Sequence, residues 1–188
     1  MAQAFLQDKR AARAEARARL RALGPDALRA AGQAIAVRLF ARPEWRQAGA
    51  VFCFVSLPSE PDTTPILRRA LAEGKRLYVP RMLGGGRMEL VEICSLDSLR
   101  PNAFGIREPA AGPVLEPDAP GPDMLAIVPC LAASKDGVRL GRGGGYYDRF
   151  LAGFPGRALL ACPGRLVFDA LPADSWDVRF ATGDILTD

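Results

Sequence analysis

Two apolar runs of strand length constrain the fold of this chain more than any other feature. They extend from Ala50 to Leu57 (AVFCFVSL) and from Met124 to Leu131 (MLAIVPCL), and they contain almost no polar side chain. A strand that is apolar at consecutive positions is covered on both faces, as the central strands of parallel sheets are. The sequence therefore predicts a sheet that lies between two layers of helix.

Helical and strand patterns alternate around these runs. A basic helix is predicted over residues 3–22 and a second helix from Pro25 to Ala41, and Gly24 separates them. Further helices are predicted over residues 64–73 and from residue 146, and further strands over residues 76–82, 88–93, 157–162 and 184–187. Residues 98–122 are rich in proline and are predicted to form a loop. This order predicts an α/β fold in which residues 1–188 form a single domain, with a mostly parallel sheet flanked by helices on both faces. The basic N-terminal helix, within residues 1–24, packs on that domain.

The absence of histidine excludes several kinds of catalytic site. Serine–histidine and cysteine–histidine nucleophile systems need an imidazole base, and histidine-ligated zinc sites need that side chain as a ligand. The four cysteines lie far apart in apolar runs and form no CxxC pair. This pattern is typical of buried thiols in a reducing compartment. The chemistry of this chain must then use carboxylates, arginine, lysine, tyrosine or a bound metal.

Charge and hydropathy narrow the possible partners. The formal net charge of +4 suits a small anionic ligand and is too low to indicate nucleic acid by itself. No apolar run is long enough to cross a bilayer, and the first residues lack the apolar core of a secretory signal. We therefore expect a protein that binds a small molecule and neither a nucleic acid nor a membrane. A cytoplasmic location and a monomeric state are further expectations.

The segment from Arg139 to Arg149 (RLGRGGGYYDR) is the most informative motif for function. Its glycine run, Gly143 to Gly145, lets the backbone turn N–H groups toward a ligand without interference from Cβ atoms. The arginines before the run add positive charge, and a helix beginning at Tyr146 would add its N-terminal dipole. The segment is neither a Walker A loop nor GxGxxG. It predicts a phosphate-binding cradle, in which Asp148 either complements the helix dipole or holds Mg²⁺.

Three polar segments follow predicted strands and are expected to meet at one edge of the sheet. They are Ser56 to Thr63, Pro80-Arg81, and the loop from Pro129 to Gly145. Ligands of parallel α/β sheets bind beyond the carboxyl ends of the strands. The sequence therefore predicts a binding cleft at this edge. A second glycine run, Gly84 to Gly86, is interpreted as a hairpin turn.

These motifs resemble those of the 5-formyltetrahydrofolate cyclo-ligase family, also called 5,10-methenyltetrahydrofolate synthetases. The glycine segment matches the family motif almost residue for residue, and that motif is highly specific. Lys9 and Arg13 have the spacing of the family's N-terminal lysine and arginine. The resemblance covers the rest of the chain at lower density, at Ser56, Glu60, Asp62, Thr63, Pro80, Arg81, Phe104, Gly105, Ile106, Glu108, Pro109, Val128, Pro129, Leu171, Pro172 and Asp177.

The resemblance implies a ligase that uses ATP and Mg²⁺ to cyclise 5-formyltetrahydrofolate to 5,10-methenyltetrahydrofolate, with release of ADP and phosphate. Its folate substrate would be bound with or without a polyglutamate tail. Arg142 and Tyr146 would be catalytic, Val55, Glu60 and Tyr146 would contact the folate, and Asp148 and Asp177 would bind Mg²⁺. ATP would be held by Lys9, Arg10, Arg13, Arg139, Leu140, Gly141, Arg142, Gly143, Gly144, Gly145, Tyr146 and Tyr147.

Several positions depart from the family pattern. Cys130, Ala133 and Ser134 stand where family members often carry glycine, an aromatic residue and aspartate. Trp176 replaces the usual histidine or asparagine, and Cys162 to Arg165 lacks the expected aromatic residue and glutamine. An alternative is therefore a non-catalytic or diverged nucleotide-binding relative with a different ligand. A basic RNA-binding module is a third hypothesis, against which the lack of aromatics among the N-terminal arginines counts.

Overall fold

The structure, a computed structural model, describes residues 8–102, 105–116 and 121–188. Its strands are β1 Ala50–Cys53, β2 Arg76–Gly84, β3 Arg87–Ile93, β4 Leu99–Pro101, β5 Arg107–Pro109, β6 Met124–Pro129, β7 Ala132–Ser134, β8 Arg139–Leu140, β9 Arg157–Ala161, β10 Val167–Phe168 and β11 Ile185–Leu186. Its α-helices are α1 Lys9–Phe40, α2 Pro43–Gln47, α3 Thr64–Ala72 and α4 Tyr146–Ala152. Helix α3 separates β1 from β2 and helix α4 separates β8 from β9, whereas no α-helix lies among strands β2 to β8 in the described residues.

A six-stranded sheet in the order β11-β9-β6-β1-β2-β3 forms the centre of the fold. Every neighbouring pair in it is parallel except β2 and β3, which form an antiparallel hairpin. The mostly parallel sheet and the hairpin turn at Gly84 to Gly86 are therefore confirmed. Two smaller sheets, β10-β7-β8 and β4-β5, accompany it.

Both faces of the central sheet are buried, as the apolar runs predict. Val51 and Cys53 of β1 belong to an apolar cluster on one face, whereas Phe52 between them belongs to the cluster on the other face. The first face is covered by the second half of α1, by α2 and by α3, through Ile35, Leu39, Trp45, Ile66 and Leu67. The second face is covered by α4, through Leu151, Phe150 and Tyr147.

The two predicted N-terminal helices are continuous except at one residue. Gly24 interrupts α1 with φ 74° and ψ 166°, and Pro25 follows it. The half before Gly24 packs Ala12 and Ala16 against the β10-β7-β8 sheet, next to Leu140 and Phe168. Residues 3–7 of the first predicted helix lie outside the described residues. No helix within the described ranges has the length and hydropathy required to cross a membrane.

Three predictions about strands and loops are wrong. The apolar run of β1 leaves the sheet after Cys53 because Thr63 takes over its hydrogen bonds, donating to the Phe54 carbonyl at 2.9 Å and accepting the Ser56 N–H at 3.1 Å. The proline-rich segment contains the β4–β5 hairpin, which the sequence did not predict because each strand has three residues and little alternation. The predicted loop from Pro129 to Gly145 contains β7 and β8, a hairpin closed by the Ser134 hydroxyl, which accepts the Val138 N–H at 3.0 Å.

The start of α1 is tied to the C-terminal part of the chain by an ion-pair cluster. Lys9 Nζ lies 2.6 Å from Asp174 Oδ2 and 2.8 Å from Asp177 Oδ1, and the Lys9 and Asp177 side chains are 21% and 10% exposed. Burial by itself would lower the pKa of Lys9, but hydrogen bonds to both carboxylates raise it above its ordinary 10.5. Burial would likewise raise the pKa of Asp177, but the hydrogen bond from Lys9 lowers it below its ordinary 3.8. Both charged forms are therefore stabilised in the folded protein.

We predict that Asp177→Asn lowers the free energy of unfolding by about 1–2 kcal/mol near neutral pH, because the charge-assisted bonds to Lys9 are weakened. Since folding lowers the pKa of Asp177, this stabilisation is present above 3.8 and is lost as the pH falls through the folded-state value. Since folding raises the pKa of Lys9, the same stabilisation is present below pH 10.5 and is lost as the pH rises through the folded-state pKa of Lys9. Urea denaturation across the pH range measures both limits.

The control is Asp169→Asn, which breaks the pair of Asp169 with Lys135, two side chains that are 66% and 71% exposed. An exposed pair is screened by water, so this variant should change the free energy of unfolding by less than about 0.5 kcal/mol. A loss in Asp177→Asn that stayed constant across the whole pH range would show that the cluster does not act through its charges.

Gly32 lies where α1 packs against the loop that follows β1. A Cβ atom at this position would be 2.3 Å from the Asp62 carbonyl oxygen and 2.5 Å from the Asp62 nitrogen. Both atoms belong to backbone, so the loop itself would have to shift. The absence of a side chain at Gly32 therefore sets how closely the loop approaches the helix.

We predict that Gly32→Ala lowers the free energy of unfolding by about 1–3 kcal/mol, the usual cost of overpacking a well-filled contact. This sign is opposite to the gain of about 1 kcal/mol that alanine normally gives over glycine within a helix. Thermal and urea denaturation measure the change. Gln33→Ala, at the exposed neighbouring position, should be close to neutral, and a Gly32→Ala protein as stable as the wild type would refute the tight contact.

Candidate functional site

A cavity of about 380 Å³ opens at the carboxyl ends of the central strands. Phe54 and Val55, which follow β1, line it together with Pro80 and Met82 of β2 and Pro129 at the end of β6. Leu57 and Glu60 come from the first polar segment, and residues 139 and 141–148 come from the glycine segment. The predicted meeting of three segments at one sheet edge is thus confirmed.

The glycine run forms a wall of the cavity with exposed backbone. Gly143 and Gly145 have φ of 105° and 69°, which only glycine adopts without strain, and the Tyr146 ring lies 2.8 Å from where a Cβ on Gly144 would stand. Within the described ranges, no backbone N–H from Arg142 to Gly145 donates a hydrogen bond. Such free amides, on a loop without side chains, can donate to the oxygens of an anion.

Arg139 is buried and connects the glycine segment to its surroundings. Its Nε donates to the Pro129 carbonyl at 2.9 Å, and its Nη1 donates to Asp148 Oδ1 at 2.8 Å. Its guanidinium lies 5.4 Å from the centre of the Tyr147 ring. One side chain thus joins the end of β6, the glycine segment and the start of α4.

The two tyrosines of the motif have different surroundings. Tyr146 lies over the glycine run and contributes to both the main cavity and a neighbouring groove. Tyr147 lines the cavity and stacks on Phe52, with ring centres 6.3 Å apart. Burial, together with the negative charge of Glu60, raises the pKa of Tyr147 well above its ordinary range. Tyr147 therefore remains protonated at neutral pH.

Arg142 and Glu60 join two loops that line the cavity. Arg142 Nε donates to Glu60 Oε1 at 3.1 Å, and Arg142 Nη2 donates to the Ser59 hydroxyl at 3.0 Å. The second oxygen of Glu60 accepts the Leu57 N–H at 3.0 Å. Because the Glu60 side chain is only 8% exposed and that of Arg142 is 41% exposed, the guanidinium neutralises a carboxylate that is largely removed from water.

The predicted ATP-binding residues of α1 lie next to the cavity wall rather than in it. Arg13 Nε donates to the Gly141 carbonyl at 3.0 Å, and its guanidinium is also near Gly143. Lys9 is held by the carboxylates of the C-terminal segment, and Arg10 is exposed to solvent. Leu140 points into the apolar cluster below α1. The structure thus places Arg13 against the glycine segment, and the roles of these residues toward ATP stay predictions.

The two predicted metal ligands are placed differently. Asp148 lines the cavity with a carboxylate that is 40% exposed, although Arg139 binds one of its oxygens. Asp177 does not line the cavity, and its carboxylate is bound to Lys9. Within the described ranges, no three His, Cys, Asp or Glu side chains cluster in a way that would hold a metal. Mg²⁺ is commonly bound by one or two carboxylates with phosphate oxygens and water, and Asp148 fits that arrangement.

The structure adds a wall to the cavity that the sequence reasoning did not find. The β4–β5 hairpin contributes Asn102, Ile106, Arg107 and Glu108. Glu108 accepts the Met82 N–H at 3.4 Å, which ties the hairpin to β2. Ile106 and Glu108 are among the positions that fit the family pattern, but the sequence alone did not place them at the cavity. Phe104, one of the positions that fit the family, lies outside the described residues.

The departures from the family pattern occupy several environments. Cys130 lines the cavity and is 7% exposed, whereas Ala133 and Ser134 are buried in β7. Cys162 is buried, and its Sγ lies 3.5 Å from the Pro163 carbonyl oxygen. Trp176 is 75% exposed and does not line the cavity. Of these positions, only Cys130 contributes to the cavity surface.

Comparison with known proteins identifies the relatives of this chain. The model of the 5-formyltetrahydrofolate cyclo-ligase family matches residues 6–187. The 5-formyltetrahydrofolate cyclo-ligase of Mus musculus is 31% identical over 149 residues, which cover 76% of this chain and 73% of the mouse protein. The protein of that name from Escherichia coli (strain K12) is 31% identical over 170 residues, covering 86% of this chain and 91% of its own length.

A solved structure shares the architecture described above. The NMR structure of Aquifex aeolicus 5,10-methenyltetrahydrofolate synthetase superimposes with a TM-score of 0.80 and 29% sequence identity, over 95% of this chain and 89% of that one. The predicted α/β fold is thereby confirmed. The family match extends over nearly the whole sequence and includes the glycine segment that forms the cavity wall. The chain therefore belongs to the 5-formyltetrahydrofolate cyclo-ligase family.

Proposed function

We propose that the protein converts 5-formyltetrahydrofolate to 5,10-methenyltetrahydrofolate, using ATP with Mg²⁺ and releasing ADP and phosphate. One observation carries this proposal: a single cavity contains the unpaired amides of the glycine run, the Arg142 guanidinium and the buried Glu60 carboxylate. The first two suit a polyphosphate, and the third suits a cationic or guanidine-like group. A nucleotide and a folate would meet between them.

The reaction consists of two displacements. The formyl oxygen attacks the γ-phosphorus of ATP, the bond from that phosphorus to the bridging oxygen breaks, and ADP leaves. The product of this step is an N5-iminium phosphate of the folate. N10 then attacks the activated carbon, the N10 proton is lost, and phosphate leaves as the five-membered ring closes.

The residues of the chain suit this chemistry because phosphoryl transfer needs alignment and charge neutralisation rather than a protein nucleophile. The amides from Gly143 to Gly145 would hold the triphosphate, and Arg142 would neutralise charge that develops on the transferring group. Tyr146, which lies over the glycine run, would contact both substrates. A protein without histidine can therefore catalyse the reaction.

The apolar part of the cavity suits the folate. Val55 and Glu60 both line the cavity, and the guanidine-like edge of the pterin would pair with the Glu60 carboxylate. Arg107, an exposed residue of the β4–β5 wall, supplies positive charge for the glutamate end of the substrate. A polyglutamate tail would extend from that end toward solvent.

Mg²⁺ would be held by Asp148 together with phosphate oxygens, and Asp177 would join it only after leaving Lys9. When bound, the ion neutralises charge on the β- and γ-phosphates. We also propose a cytoplasmic location and a monomeric state. The four cysteines are all free thiols, which fits a reducing compartment.

The alternative function is that of a diverged relative that binds a nucleotide but a different second ligand. Cys130 favours it, because this departure from the family pattern lies on the cavity surface. An assay of the purified protein with Mg-ATP and 5-formyltetrahydrofolate separates the two functions. The proposed function predicts that methenyl-folate absorbance appears and depends on ATP, whereas ATP binding without that product would favour the alternative.

We predict that Arg142→Ala reduces kcat by about 10³-fold, the effect of removing an arginine that stabilises phosphoryl transfer. The steady-state rate of methenyl-folate formation measures this effect, and circular dichroism checks that the fold is retained. Arg68→Ala, at an exposed position of α3 outside the cavity, is the matched control and should leave kcat unchanged. Near-native kcat in Arg142→Ala would contradict the assigned role.

A further inference from the structure

Arg142 is required in two places if the proposed function holds. In the structure its guanidinium binds Glu60 at 3.1 Å and the Ser59 hydroxyl at 3.0 Å. The same guanidinium would have to face the phosphates that the glycine run holds. Glu60 would likewise have to bind the pterin, although its oxygens accept bonds from Arg142 and from the Leu57 N–H.

These contacts engage the Arg142 guanidinium, which the nucleotide would need, and the Glu60 carboxylate, which the folate would need. Arg142 Nε and one proton of Nη2 are directed at the loop after β1, so this edge of the guanidinium is not available to phosphate oxygens while the contact holds. The Glu60 side chain is 8% exposed, so it can lose Arg142 at little cost only if another cation or donor replaces it. A pterin provides such a group, whereas water has limited access.

We propose that Ser59 and Glu60 form a latch that holds Arg142 away from the nucleotide, and that binding of the folate opens it. This inference rests on the proposed function, because that function assigns Arg142 to the nucleotide and Glu60 to the folate. Ser59, which lies outside the cavity lining, is then a positioning residue for Arg142. Its hydroxyl accepts the Arg142 Nη2 proton and stabilises the closed arrangement.

Positive cooperativity between the two substrates follows from the shared contact. In the proposed latch, the ligand that binds first breaks the bond between Arg142 and Glu60, and the ligand that binds second no longer has to break it. The coupling is reciprocal, so each substrate tightens the other by the same factor. We expect a factor of about ten, within the usual range for coupled sites. In such an enzyme, Arg142 would seldom contact the triphosphate before the folate is bound.

Calorimetry with unreactive ligands tests the latch directly. The dissociation constant of the Mg²⁺ complex of the β,γ-imido analogue of ATP is measured without folate and with saturating 5-formyltetrahydrofolate. For the wild type we expect binding about tenfold tighter with folate. For Ser59→Ala we expect the analogue to bind about three- to tenfold tighter than wild type without folate, because one bond of the latch is lost. The factor by which folate tightens binding of the analogue should be smaller in Ser59→Ala than in the wild type.

Two further variants separate the latch from other effects. Ser98→Ala removes a hydroxyl that bonds the Ser95 carbonyl, outside the cavity, and should bind the analogue as the wild type does. Glu60→Gln should tighten analogue binding in the absence of folate while it weakens folate binding. A purely structural role of Ser59 would weaken analogue binding or leave it unchanged, which is the opposite of the latch.

The latch is overturned if folate leaves the affinity of the wild type for the analogue unchanged, or if Ser59→Ala fails to tighten it. Either result would leave the proposed function intact, since both ligands would still bind. Failure of the wild type to bind either ligand would instead reject the proposed function, and the latch with it.

Discussion

A buried guanidinium, that of Arg139, is the interaction on which the geometry of the site depends. A charge removed from water must be paired and hydrogen-bonded, and Arg139 satisfies this need with the Pro129 carbonyl and the Asp148 carboxylate. These partners lie at the end of β6 and in the first turn of α4. The glycine run between Arg139 and Asp148 is thereby held at both of its ends. The residues of that run then line the cavity with backbone that carries no side chain.

The N-terminal helix supports the same geometry from outside. Arg13 donates to the Gly141 carbonyl, and Lys9, one helical turn earlier, holds the Asp174 and Asp177 carboxylates. The first turns of α1 thus connect the glycine segment to the C-terminal part of the chain. This arrangement gives the two basic residues a structural role, and contact with ATP would add to that role. It also keeps the Asp177 carboxylate on Lys9, outside the cavity lining.

The parts of this fold that local patterns determine could be predicted from the sequence. The central sheet follows from consecutive apolar residues, and the exposed glycine wall of the cavity follows from a glycine run that comes after a strand. Its role as a phosphate cradle stays a prediction. The Arg142–Glu60 pair could not be predicted from spacing, because the two residues are 82 positions apart and meet only through the sheet. The β4–β5 wall could not be predicted because its strands have three residues each, too few to show an alternation of apolar and polar residues. They are strands only because they pair with each other. Thr63 ends β1 through side-chain bonds that the apolar run does not reveal.

The proposed function requires that a triphosphate lies on the unpaired amides of the glycine run. A crystal structure of the protein with the β,γ-imido analogue of ATP, Mg²⁺ and 5-formyltetrahydrofolate tests it most directly. We expect phosphate oxygens within hydrogen-bonding distance of the Gly143 to Gly145 amides, with Arg142 turned from Glu60 toward the γ-phosphate. Phosphates bound elsewhere, with those amides facing solvent and Arg142 still on Glu60, would contradict the account.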